Sequence, residues 1–342
     1  MRADQLHRGD FVEVRSAAEI LATLDDQGAL EALPFMPEMV AYCGRRFAVD
    51  RRTEKVCDTI KDLNSRRLAD CVFLGDLRCD GSGHDGCQAE CRLYWKEAWL
   101  KRVTSTDPAP QAGGDHEARR ALLELVQRGT RSPTPEGGVR YRCQATELVA
   151  ASEPLSLTDP RPYLREYTSR NVSIRTFTRV MTRATVTEVR RKLGRLPAIP
   201  VQGQSTKSPE TPRLDLQSGE WVRVKSPEQI RETLTVRGMN RGLWFDVEML
   251  AFCGQTFRVR RRIDRFVHDR DGKMIELPSD CVTLEGAVCS GEWSTQRWFC
   301  PRAIYSYWRE CWLERVQPSN GDGQQQRTRD LSTDVRPGVS RR

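Results

Sequence analysis

The chain has 342 residues, 38% of them hydrophobic and 30% charged, with a mean hydropathy of −0.61 and a formal net charge of +8. That length accommodates two or three domains of roughly 100–200 residues, and no run of about 18 apolar residues is available to build a membrane-spanning helix. The polar segment Met1–Asp10 lacks the apolar stretch of a secretory signal, so a cytoplasmic protein with no membrane partner is expected.

An internal repeat sets the order of elements. Gly9-Asp-Phe-Val-Glu-Val-Arg-Ser16 matches Gly219-Glu-Trp-Val-Arg-Val-Lys-Ser226 at a spacing of 210 residues. The match runs without a gap through Cys43/Cys253, Asp70-Cys71/Asp280-Cys281 and Cys79/Cys289 to Gly81/Gly291. After a three-residue insertion in the second copy it resumes with Tyr94-Trp95-Lys-Glu97-Ala-Trp99 against Tyr307-Trp308-Arg-Glu310-Cys-Trp312. Gene duplication accounts for this, and four segments follow: module 1–103, connector 104–217, module 218–316 and a disordered tail 317–342.

Taken in chain order, each module opens with an alternating strand, Phe11–Val14 or Trp221–Val224, after a Gly-acidic turn. Ser16 with Glu19, and Ser226 with Gln229, then cap a short helix through a capping box. Strands are expected at 46–51, 56–61, 71–77 and 95–103, and again at 256–261, 266–269, 281–288 and 308–316. Asp269-Arg-Asp-Gly-Lys273 reads as a hairpin turn in the second copy. Between the modules, Thr104–Asp115 is linker-like and His116–Arg128 has helical spacing, with Ala121, Leu122, Leu125 and Val126 on one face. Residues 159–195 are rich in arginine, and 196–217 read as a second linker. The predicted fold is therefore mainly β with some α, two duplicated modules joined by a partly helical connector.

The opening Gly-x-x-Val-x-Val, with five short strands and tight turns, resembles the small SH3-like barrels of translation and transcription accessory proteins. With its Cys-Gly-x-x-Phe and Tyr-Trp-x-x-x-Trp-Leu-x-Arg-Val segments, the tandem module is similar to uncharacterised bacterial cysteine-containing proteins. That resemblance implies a barrel and no activity.

Four cysteines recur in each module, Cys43, Cys71, Cys79 and Cys87 against Cys253, Cys281, Cys289 and Cys300. Four thiolates satisfy tetrahedral zinc, so zinc is expected, up to two ions per chain. Within these sets the spacings are x27, x7 and x7, or x27, x7 and x10, with no short knuckle. The competing reading makes them small buried hydrophobes of duplicated cores. An iron–sulfur cluster would want shorter spacings. His84, in the loop between Cys79 and Cys87, reads as an exposed histidine.

Trp95, Trp99, Trp308 and Trp312 fit core packing, with a stacking surface as the functional alternative. Charge separates the segments. Residues 8–103 carry 15 Lys/Arg against 17 Asp/Glu and residues 218–316 carry 16 against 14, whereas the connector carries 18 against 12. Arg175, Arg179, Arg183, Arg190 and Arg191 concentrate that excess, which suits either nucleic-acid phosphates or an acidic protein. Only four histidines are present and none recurs; no phosphate loop, dinucleotide fingerprint or nucleophile elbow occurs. The reading is a non-enzymatic, metal-stabilised adaptor. Nucleic-acid binding through the connector is one alternative, and an enzyme with a cysteine-ligated metal is the other.

Overall fold

The structure, a computed structural model, describes residues 5–53, 55–60, 65–104, 116–156, 159–195, 201–277, 280–294 and 297–317. Most of the expected linker 104–115 and nearly all of the expected tail lie outside them.

The protein is mainly β, and alternation explains its two largest sheets. Val12 and Val14 are buried while Phe11 points outward, and Val222 and Val224 repeat the pattern in the second copy. The first sheet has the antiparallel order Arg92–Lys96, Cys71–Arg78, Arg46–Arg52, Phe11–Val14, Leu100–Arg102. The second has the corresponding order Trp308–Arg309, Cys281–Leu284, Thr256–Arg262, Trp221–Val224, Leu313–Arg315. Registers agree as well: Val12 faces Phe47 and Arg102, and Val222 faces Phe257 and Arg315. The closing segments expected as single strands are broken by one 3-10 turn each, Glu97–Trp99 and Glu310–Trp312. These turns let Trp99 and Trp312 fold into the core.

Both capping boxes form. Ser16 accepts from the Glu19 N–H and Ser226 from the Gln229 N–H, while the Glu19 and Gln229 side chains take the cap N–H groups. The hairpin in the second copy pairs Arg265–Val267 with Met274–Glu276.

The chain divides into two compact units, each with its own core. The second comprises Val201–Arg262, Ser279–Ala287 and Ser306–Arg342, and its core includes Phe245, Trp308 and Trp312. The first comprises Met1–Pro200 together with Ile263–Pro278 and Val288–Tyr305, two pieces of the second repeat. It also holds the helices His116–Arg128, Arg161–Thr168 and Ile174–Lys192. Leu122 and Val126 bury the apolar face of the first helix in the module core.

Within the first unit, equivalent residues of the two copies meet each other. The Thr59 hydroxyl donates to Asp269 Oδ2 at 2.6 Å, and Arg270 Nε donates to the Ile60 carbonyl at 3.1 Å; each pair is 210 residues apart. Such self-pairing is the mark of a local twofold axis. It extends to two reciprocal hydrogen bonds. The Cys57 N–H donates to Cys300 Sγ at 3.2 Å, and the Val267 N–H donates to Cys87 Sγ at 3.3 Å. Val267 stands where Cys57 does, 210 residues on, and Cys300 corresponds to Cys87.

Candidate functional site

The loop that follows the strand Cys71–Arg78 brings the cysteines together. Gly81 lies at φ 78°, and a Cβ there would collide with the Cys87 backbone, so only glycine allows the loop to fold back from Cys79 to Cys87. Cys79 N–H then donates to the Cys91 carbonyl at 2.8 Å, as Cys289 N–H does to Ile304. Cys79, Cys87, Cys91 and Cys143 line one cavity, together with His84 and Asp269. Its water-accessible volume is about 30 Å³, room for about one or two waters.

The recurring cysteines separate into different environments. Cys43 and Cys71 belong to the apolar core of the first unit, whereas Cys79 and Cys87 face the cavity. Cys253 and Cys281 fall in the second unit, and Cys289 and Cys300 in the first. Burial pushes Cys71, Cys143 and Cys281 up to about 12, so these thiols stay neutral. Among the described residues, no three His, Cys, Asp or Glu side chains are placed to hold a metal ion. The first expected set is divided between the apolar core and the cavity, and the second between the two units. The cavity instead joins two recurring cysteines to two that do not recur. Cys87-Gln-Ala-Glu-Cys91 is a short Cys-x3-Cys spacing, a signal that a search confined to repeated cysteines passes over.

His84 is buried, a correction to its reading as an exposed loop residue; its Nε2 lies 3.3 Å from the Arg142 carbonyl. The four tryptophans are also buried and pack cores, so they present no stacking face to a ligand. Phe35 meets Trp95 and Trp99 edge-on, and Phe245 repeats this with Trp308 and Trp312. The Trp99 indole donates to Thr23 Oγ1 and that of Trp312 to Thr233 Oγ1.

A second cysteine cluster surrounds Cys57 and Cys300, both buried. Buried Arg302 donates to the Cys57 carbonyl at 3.0 Å and to Thr59 Oγ1 at 3.1 Å, and its Nη1 lies 3.9 Å from Cys57 Sγ. Lys55, also buried, donates to the Trp298 carbonyl at 2.6 Å and interacts electrostatically with Cys300, Glu166 and Cys57. Burial lowers its pKa against that attraction. Glu166 accepts from Asn171, which brackets the Arg52 backbone through its side-chain amide. The sequence shows Cys57 only as a cysteine without a counterpart and singles out neither Lys55 nor Arg302. Their convergence depends on residues 288–305 packing in the first unit.

No family model, curated protein or solved structure matches the chain. What it can do must be read from its own chemistry.

The Arg-rich helix Ile174–Lys192 is the most prominent charged element. Ser173 caps its start by accepting from the Thr176 N–H. Val180 and Ala184 are buried. On the opposite face Val186, Val189 and Leu193 are 44%, 51% and 60% exposed. Arg175 and Arg190 lie on that outward side, as helical spacing requires. Arg179 donates to Glu292 Oε1 at 2.7 Å, and Arg183 stacks its guanidinium 3.8 Å from the Trp293 ring centre. These two arginines thus help to seat the helix, while exposed Arg190 neighbours the aliphatic stripe and Arg191, around the helix from it, donates to Glu188 Oε1 at 2.6 Å.

Proposed function

We propose that this is a non-enzymatic binding protein whose docking surface is the outward face of the helix Ile174–Lys192, and that its partner is an acidic polypeptide. The two five-stranded sheets are read as duplicated SH3-like modules, and the helix belongs to the unit that holds the first of them. The observation that carries the reading is the placement of Arg175 and Arg190 on the same outward side as exposed Val186, Val189 and Leu193. An acidic amphipathic segment uses both components at once, ion pairs to the arginines and apolar burial on the stripe. A phosphate backbone would engage the arginines and leave the aliphatic side chains unsatisfied.

The test is fluorescence anisotropy with a labelled 20-residue polyglutamate-leucine peptide and a 20-nucleotide single-stranded DNA as separate probes. Peptide binding that weakens with salt is expected, reduced by about tenfold or more in V189D and in R175E/R190E. Tight binding of the DNA alone, unaffected by V189D, would transfer the helix to nucleic-acid recognition. No binding of either probe would remove the helix as a docking surface.

A further inference from the structure

The local twofold axis supplies an internal comparison at the Cys57–Cys300 contact. On one side the Val267 N–H reaches Cys87 Sγ, and on the other the Cys57 N–H reaches Cys300 Sγ, at nearly the same distance. A valine therefore suffices for this packing. The Cys57 thiol is an addition at one of two equivalent places, on a residue whose own N–H reaches the Cys300 sulfur at 3.2 Å. Arg302 is a second addition on the same side, since its counterpart in the first copy is Ala89, counting from Cys87 and Cys300. The guanidinium approaches the sulfur and the carbonyl of Cys57 at once. Packing calls for neither a second thiol nor a buried cation here, and burying a guanidinium is costly without a compensating role.

We propose that Cys57 and Cys300 form a reversible disulfide site for oxidation by a small hydroperoxide, with Cys57 attacking and Cys300 resolving. Hydrogen peroxide is close to water in size, and a water-sized cavity adjoins Arg302. The Cys57 thiolate attacks one peroxide oxygen; the O–O bond breaks, sulfur becomes sulfenic acid, and hydroxide leaves. Cys300 gives its proton to that hydroxide, forming water, and its sulfur attacks the sulfenic sulfur. The S–S bond forms as S–O breaks and a second hydroxide leaves. A small dithiol reverses the process by exchange, becoming a disulfide itself. The electrostatics favour these roles. The Cys300 hydrogen bond outweighs burial and, with Arg302 and Arg297, holds the Cys57 thiol below its ordinary range, while burial pushes Cys300 up.

The experiment treats the reduced full-length protein with one equivalent of hydrogen peroxide at pH 7, alkylates the remaining thiols and maps linked peptides by mass spectrometry. A Cys57–Cys300 linkage formed ahead of any other, and removed by dithiothreitol, is the expected result. C57V and R302A each install the residue of the other copy, so the fold has a precedent for both. C57V should leave Cys300 reduced with melting temperature held, and R302A should slow linkage by about tenfold. If Cys57 and Cys300 stay reduced while other cysteines oxidise, or if R302A reacts as fast as the parent, the proposal fails.

Discussion

The Glu310 carboxylate accepts three backbone N–H groups, from Leu214, Asp215 and Leu216, at 2.7–2.9 Å, and a 2.8 Å bond from Arg262. Burial opposes its ionisation, but these donors together hold its pKa below the usual carboxylate value. A depressed carboxylate contributes stability that is fully present above its unfolded-state pKa and lost as pH falls through the folded one. The second unit should therefore weaken below about pH 4.5, and E310Q should flatten that limb. At pH 7 the same substitution should cost about 2–4 kcal/mol by denaturant titration, because Arg262 loses its buried partner. Cys71 allows a different residue-scale test. It is a neutral thiol in an apolar core, so C71S should lose about 1–3 kcal/mol more than C71A. Equal losses accompanied by a fall in bound zinc would make Cys71 a ligand, as the repeated cysteine set suggests.

Among the elements, the 3-10 turns Glu97–Trp99 and Glu310–Trp312 decide how the modules close. Each turn interrupts a segment whose composition reads as one continuous strand and drives a tryptophan inward against Phe35 or Phe245. W312A should cost about 3–5 kcal/mol and lower the melting temperature of the unit that contains it. The helix Ile174–Lys192 follows a different logic. Its arginines are legible in the sequence as a charge excess, but Arg179 and Arg183 prove to be engaged with Glu292 and Trp293 of the segment 288–305. Composition could not distinguish seating arginines from outward-facing ones, because that choice depends on which loop folds against the helix.

At the scale of the whole molecule, the repeat does not coincide with the compact units. Residues 263–278 and 288–305 belong to the second copy by sequence and to the first unit by packing. Phe299 stacks on Phe177 with ring centres 5.6 Å apart and joins Tyr163, Val172 and Val180 in a small core. A fragment ending at residue 200 lacks Phe299 and Val267 and should lose order around residues 161–192. Limited proteolysis checks this: cleavage within that helical pair is expected in the fragment and not in the full chain.

Some features of this protein are local and follow from sequence alone. The capping boxes at Ser16 and Ser226, the helix His116–Arg128, the alternating opening strands and the hairpin around Asp271 depend on neighbours within a few residues, and each appears where its pattern predicts. The side-chain environments are not local. Cys79 and Cys87 share a cavity with Cys91 and Cys143, and Cys57 meets Cys300 across 243 residues of chain. Repeat matching favours residues kept in both copies, whereas the packing of 263–278 and 288–305 in the first unit brings together residues that differ between them. A thiol's neighbours, and with them its charge and reactivity, are fixed by long-range packing that no spacing records.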